Sequence, residues 1–333
     1  MIETVETGEE RLDSAEDLQA AFVQMLEEGT PANVIVEHLR LAGQEPEAII
    51  PALSGAIRIL RQWRQVLERA SDHAVWMSDV RRACRNGAPN VAEVQQIGCE
   101  AFYRDYFNQN RPIVIKEAWY GDGARSDVSF RRLRDEFGDI VIEIAARRIP
   151  GKNDFVDHDF HKQSVTLAKF LDDVETIATN DFYLTSQNFA VRGQLGELVN
   201  NLKAFPSLMD LRRPLESALF IGPKGATSPL HYDGHNVLLL QLIGTKRVTL
   251  YCPQDECFLY YDNDIRSSTI DPNELDLSRY PLSRFARPTV VEVTAGNALF
   301  LPVGWGHYVE SLTPTCSLSM YNFNGRNNFL RLS

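Results

Sequence analysis

The 333-residue sequence has no apolar run of the roughly 18 residues that a membrane-spanning helix needs, no C-x-x-C pair and no surplus of basic side chains. The first lack argues against a membrane partner. Cys84, Cys99, Cys252, Cys257 and Cys316 are odd in number and scattered, which argues against a disulfide framework or a structural zinc site and predicts reduced, packed thiols. The opening stretch, MIETVETGEERLDSAEDL, is acidic and polar and has no secretory-signal pattern, so a cytoplasmic location is expected. Lys and Arg total 34 against 45 Asp and Glu, a net charge of −11. Residues 1 to 50 hold 12 of the acidic and 2 of the basic side chains, so the excess belongs to that segment and the remainder is near balance. Nucleic-acid affinity rests on neutralising phosphates, so no nucleic-acid partner is expected.

What is present is enough apolar residue, 44% of the chain, to bury a large core and a smaller one. Residues 12 to 69 read as three helices. Ser14 with Asp17 is a capping signal ahead of a stripe at Leu18, Phe22, Met25 and Leu26. Thr30-Pro31 starts a second helix as cap and first-turn residue, with Ile35, Leu39 and Leu41 inward. A third runs from about Pro46 to Ala70 with Leu53, Ile57, Leu60 and Leu67 on one face. Asn86-Gly-Ala-Pro89 marks a junction, which gives a helical region over 1–88 and a second domain over 89–333. In the latter, strands are expected over Arg111–Trp119, Asp139–Ala146 and Asp181–Gln187, and short helices over Ser129–Phe137 and Val165–Val174, with Thr166 as cap. Residues 216 to 325 are β-rich with closely spaced turn signals, as in a sandwich or barrel, and the polar stretch 255–287 reads as an insert outside it. Asp157-His-Asp-Phe-His161 crowds metal-binding types together without a strand or helix to hold them and reads as a solvated loop.

The ligand-rich segment is Gly225 to Pro253, GATSPLHYDGHNVLLLQLIGTKRVTLYCP, read as a metal site mounted on a β-hairpin whose two apolar strands are separated by Gly244-Thr245. His231 and Asp233 are two apart, and on an extended strand such residues share a face. Two nitrogens and one carboxylate on one face of a metal form the triad used for non-haem Fe(II) and oxygen. Downstream of Asp233 the histidines are His235 and His307. His235 lies too close in the same turn, whereas His307 follows a strand and a Pro/Gly turn that can swing an imidazole back over a barrel mouth. Three such ligands also suit catalytic Zn²⁺. Lys246 opens the strand after Gly244 and alternates with Val248 and Leu250, so its ammonium can reach inward and anchor a dicarboxylate.

From Phe220-Ile-Gly-Pro through His231-Tyr-Asp233 and Gly244-Thr-Lys246, to Gly296-Asn-Ala-Leu-Phe-Leu-Pro302 and His307, the chain resembles the JmjC-domain, cupin-like oxygenases over roughly residues 105 to 325. Within that group it is most similar to the small JmjC-only protein hydroxylases of the asparaginyl hydroxylase type. The resemblance implies a mainly β fold, a double-stranded β-helix (jelly-roll) core at about 180–325 with flanking helices. It implies Fe(II), held by His231, Asp233 and His307, with 2-oxoglutarate and O₂ as co-substrates. Tyr183 and Ser228 match hydroxyl positions that bind the 2-oxoglutarate, beside Lys246, and Asn322 matches a polar position near it.

The implied activity is hydroxylation of a side chain in a protein or peptide, with lysine demethylation, small-molecule hydroxylation or a cupin binding module without turnover as alternatives. Three positions depart from the family. Val237 stands where the asparaginyl hydroxylase has Asn, with Asn236 one earlier. Asn297 replaces a usual Asp. Gly306 replaces an aromatic, implying a wider pocket. The chain stops at Ser333 without the helices through which some relatives dimerise, so that route is not expected.

Overall fold

The structure, a computed structural model, describes residues 14–28, 30–45, 47–62, 91–118, 128–148, 162–185, 208–210, 217–262, 266–325 and 327. Backbone packing divides the chain into two units, Met1–Ala74 and Val75–Ser333. The Asn86–Pro89 junction, Leu67 and the Asp157–His161 cluster lie outside the described residues.

In the first unit α1 (Ala15–Glu27) begins at Ser14, whose hydroxyl accepts the Asp17 N–H at 3.0 Å. In α2 (Ala32–Leu41) the cap position is Pro31 and no side chain caps it, so Thr30 does not act as predicted. Ile35 and Leu39 are buried, but Leu41, expected inward, is 80% exposed because it falls on the last turn beyond the stripe. In α3 (residues 47–62) the buried positions are Ile49, Ala52 and Ala56 rather than Leu53, Ile57 and Leu60, which are only partly covered. A Cβ at Gly55 would stand 2.2 Å from the Gln19 side chain, so small residues let α3 approach α1 closely. Leu18, Phe22, Ile35, Leu39, Ile49, Ala52 and Ala56 form one core.

The second unit is built on two six-stranded sheets. The first, in the order β1-β2-β13-β8-β15-β6, contains Ala92–Val94, Ile113–Ile115, Ala298–Leu301, Val237–Ile243, Thr315–Met320 and Ser217–Gly222. The second, in the order β10-β11-β7-β14-β9-β12, contains Tyr261–Asp262, Ser267–Ser268, Thr227–Tyr232, Gly306–Ser311, Thr245–Tyr251 and Thr289–Thr294. Val237 and Leu239 of β8 pack with Val248 and Leu250 of β9 and with Val291, Val293 and Val309, joining the two sheets. Leu238, Leu240 and Leu242 of the same strand pack on the opposite side with Phe102, Ile113, Phe300 and Leu318. β8 is therefore buried on both faces, which is why its sequence is almost continuously apolar. This is the jelly-roll arrangement of cupins.

β8 and β9 are not a hairpin. They belong to different sheets and share no ladder, and Gly244, at φ +76°, is the corner where the chain passes from one sheet to the other. A Cβ there would lie 2.1 Å from the Pro314 carbonyl oxygen.

A third sheet, β4-β3-β5, holds Lys162–Thr166, Val141–Ala146 and Phe182–Tyr183, with an isolated bridge from Leu184 to Ile221 of the barrel. The flanking helices α4 (Phe130–Phe137) and α5 (Leu167–Thr176) are capped by the hydroxyls of Ser129 and Thr166. The 255–287 insert is not wholly outside. It includes two 3₁₀ turns, Pro253–Phe258 and Pro281–Phe285, but its strand β11 pairs with β7, placing Ser267 opposite His231.

Candidate metal and co-substrate site

β7 and β14 run antiparallel with His231 directly opposite His307, and their ring centroids are 4.1 Å apart. Asp233 follows β7 by one residue, and its Oδ2 is 3.7 Å from His307 Nε2. One ligand-type atom from each of His231, Asp233 and His307 lies within 4.8 Å of the others. His231 Nδ1 is 2.7 Å from the Pro229 carbonyl oxygen and His307 Nδ1 is 3.0 Å from that of Trp305. A carbonyl only accepts, so each Nδ1 carries the proton and each Nε2 keeps its lone pair for a metal.

Burial, with the neighbouring His307 charge, lowers the His231 pKa to about 4, which keeps the ring neutral and able to ligate. Burial raises the Asp233 carboxyl, but the charges of His307, His231, His235 and Arg266 more than offset this and hold it below its usual value. Two imidazole nitrogens and a carboxylate are a donor set that fits Fe(II) and, on donor type alone, Zn²⁺. His235 is not in this cluster; its ring meets Tyr321 edge to face at 4.7 Å.

These three residues, His231, Asp233 and His307, line a cavity of about 110 Å³ together with Tyr183, Ser228 and Lys246. Lys246, on the face of β9 shared with Val248 and Leu250, is 2% exposed. Its Nζ donates to Ser317 Oγ at 2.7 Å and Tyr183 Oη at 3.1 Å, and lies 5.5 Å from the Phe220 ring centroid. Among the described residues no carboxylate approaches it within 4 Å; its partners are hydroxyls and aromatic faces. Asn322 does not line the cavity. It is buried and its Nδ2 donates to the Asp210 carbonyl at 2.9 Å, tying that segment to the barrel.

Two contributors escaped the sequence reading. Arg148 lines the cavity, with its guanidinium 5.4 Å from the Tyr183 ring centroid and donating to Asn180 and to the Thr227 carbonyl at 2.9 Å. The buried positions Ile142, Ile144 and Ala146 of β3 alternate, and continuing that period two residues past the strand reaches Arg148. Ser317, which holds Lys246, and Ser319 are the polar alternates in a strand whose Cys316, Leu318 and Met320 enter the hydrophobic core.

Gly306 does not widen the pocket: a Cβ there would stand 2.1 Å from Tyr261 Oη, so the insert's tyrosine fills the space. Val237 adds an apolar wall to the cavity. Asn297 serves the β12–β13 turn, accepting from the Glu117 N–H at 3.1 Å and donating to Thr294 Oγ1 at 2.8 Å.

Residues 99–329 match the family of cupin-like domains. The chain is 29% identical to the lysine-specific demethylase JMJ30 of Arabidopsis thaliana over 237 residues, 68% of this chain and 53% of that protein. It is 26% identical to the tRNA wybutosine-synthesizing protein 5 of Gallus gallus over 238 residues, 67% of this chain and 74% of that protein. It is 39% identical to human HSPB1-associated protein 1 over 109 residues, 31% of this chain and 22% of that protein. The matched region thus spans about half the length of the plant relative and less than a quarter of the human one. With its jelly-roll core and a family match over 231 of its residues, the chain belongs to the cupin-like domain family.

Proposed function

We propose that the protein is an Fe(II)- and 2-oxoglutarate-dependent oxygenase that hydroxylates a side chain of a protein or peptide. The observation that carries this reading is the pairing, in one cavity, of the His231–Asp233–His307 cluster with a buried lysine that has no carboxylate partner among the described residues. A buried ammonium costs several kcal/mol in desolvation unless an anion compensates it, so the cavity is suited to a ligand whose carboxylate meets Lys246 while its other end reaches the metal.

When bound, Fe(II) supplies oxygen activation coupled to oxidative decarboxylation of 2-oxoglutarate to succinate and CO₂. The chain's own residues orient and select. His231 and His307 offer Nε2 because Pro229 and Trp305 fix their tautomers, and Asp233 offers the one anionic donor. Lys246 and the Tyr183 hydroxyl take the distal carboxylate, with Ser228 lining the same cavity. Val237, Leu239, Leu301 and Val309 give the cavity an apolar lining, which strengthens an ion pair there by excluding water.

The protein substrate is supported by the names of relatives such as the plant demethylase. Lysine demethylation uses the same centre and is separated from hydroxylation by its product. A second reading, modification of RNA, is favoured by the tRNA wybutosine-synthesizing relatives, of which the chicken protein is matched over 74% of its length. Beyond the acidic first 50 residues the charges nearly balance, with no basic surplus to meet phosphates, and that speaks against it. The test is mass spectrometry of peptide libraries and of bulk tRNA after incubation with the protein, Fe(II) and 2-oxoglutarate. A gain of one oxygen on peptides, dependent on both additions, is expected. A product on tRNA alone, or loss of methyl groups without retained oxygen, would replace this reading.

A further inference from the structure

Two turns carry the metal ligands, and the chain joins them through buried carboxamides. The first, 233–236, follows β7 and includes Asp233. The second, Pro302–Trp305, precedes His307 and is closed by the Trp305 N–H to the Pro302 carbonyl, with Gly304 at φ +78° in its third position. The Gly304 N–H donates to the Asp233 carbonyl at 3.0 Å, and the Val303 N–H donates to Asn236 Oδ1 at 2.9 Å. Asn236 is 2% exposed, and Asn327 grips it on both backbone groups. Asn327 Oδ1 accepts the Asn236 N–H at 2.7 Å, and its Nδ2 donates to the Asn236 carbonyl at 3.0 Å. On the far side, Asn110 Nδ2 donates to the Val303 carbonyl at 3.2 Å, and Trp305 Nε1 donates to the Asn110 carbonyl at 2.9 Å. Trp305 is also the residue whose carbonyl fixes His307 Nδ1.

We infer that Asn236 is a positioning residue for the metal ligands: its carboxamide clasps the Pro302–Trp305 turn to the Asp233 turn and so sets the approach of His307 to Asp233 before any metal arrives. It rests on the metal-binding part of the proposed function. A buried side-chain acceptor that satisfies one backbone N–H in a turn next to a ligand acts as the outer partners of metal sites do, where removal costs about 10–100-fold in metal affinity. The clasp also gives Asn236 a place in a sequence whose next residue, Val237, is apolar and lines the cavity.

The experiment is a Co(II) titration of the full chain, following the visible ligand-field bands, with thermal melting in the presence of a chelator. Asn236→Ala should weaken Co(II) binding about 10–100-fold and alter the band pattern. Asn236→Asp keeps the acceptor for the Val303 N–H and should keep the wild-type band pattern. Asn327→Ala, which releases the backbone grip on Asn236, should weaken Co(II) in the same direction. If Asn236→Ala melts below the titration temperature, Asn327→Ala and Asn236→Asp decide the question. Folded Asn236→Ala or Asn327→Ala with wild-type Co(II) affinity and bands, whatever the melting temperature, would overturn the inference and leave a purely structural clasp. Failure of the wild-type chain itself to bind Co(II) would instead defeat the metal-site reading on which the inference rests.

Discussion

Lys246 is held by two hydroxyls and two aromatic faces, with no acidic side chain within 4 Å among the described residues, and this sets two opposite expectations for one side chain. Replacing a buried charge by an apolar group of similar length removes its desolvation cost, so Lys246→Met should raise the melting temperature of the protein measured without co-substrate. The same change removes the partner of the bound carboxylate. Losing one member of a desolvated pair costs about 3–5 kcal/mol, so Lys246→Ala or Lys246→Met should raise the 2-oxoglutarate requirement by about two orders of magnitude or more. A calorimetric titration and a melt on one variant read both effects. An unchanged requirement would show that the ammonium does not meet the co-substrate. Asp233 supplies the anionic donor of the cluster and its side chain is 30% exposed, outside the barrel core. Asp233→Ala should therefore lose Fe(II) binding and succinate formation together while its circular dichroism stays that of the wild type.

At the scale of strands and turns, Gly244 bears the corner between the two sheets. A side chain there would force a positive φ on a non-glycine residue and collide with the Pro314 carbonyl, so Gly244→Ala should destabilise the second unit by more than about 1 kcal/mol in a denaturant titration. The same corner shows what was legible in the sequence. The apolar runs on either side of Gly244-Thr245 announced two strands and the glycine announced a turn, but a local pattern does not say whether two strands pair. Here the partners of β8 are β13 and β15, and those of β9 are β12 and β14, all far downstream in the chain. That His231, Asp233 and His307 come together was readable because period two places His231 and Asp233 on one face, and because the Pro/Gly turn before His307 can redirect a strand. Arg148 and Ser317 were missed because neither stands in a motif; each is reached only by extending a strand's alternation. In α3 the packing face went to Ala52, Gly55 and Ala56, since close helix approach selects for small residues, and a search for large apolar ones looks one face away.

At the scale of the whole chain, the acidic first segment and the proposed site belong to different units: the three residues proposed to hold the metal, with Lys246, Tyr183 and Ser228, all lie in Val75–Ser333. Disturbing the core of the first unit should therefore leave the site alone. Phe22 is fully buried among Leu18, Ile35 and Ile49, and Phe22→Ala should cost that unit about 3–5 kcal/mol while Fe(II) and 2-oxoglutarate affinities stay at wild-type values. A fall in both affinities would show that the units are energetically coupled. Whether the cavity performs oxygen chemistry, and does so through the residues assigned to it, is tested most directly by succinate release from 2-oxoglutarate in air, compared between the Fe(II)-loaded and Zn(II)-loaded chain and between wild type and Lys246→Ala. Zn²⁺ satisfies the same donors but is redox-inert. The account predicts succinate from the Fe(II) wild type, none from the Zn(II) form, and a rate for Lys246→Ala that recovers only at far higher 2-oxoglutarate. No succinate with Fe(II) bound and 2-oxoglutarate saturating, or equal release with either metal, would contradict it.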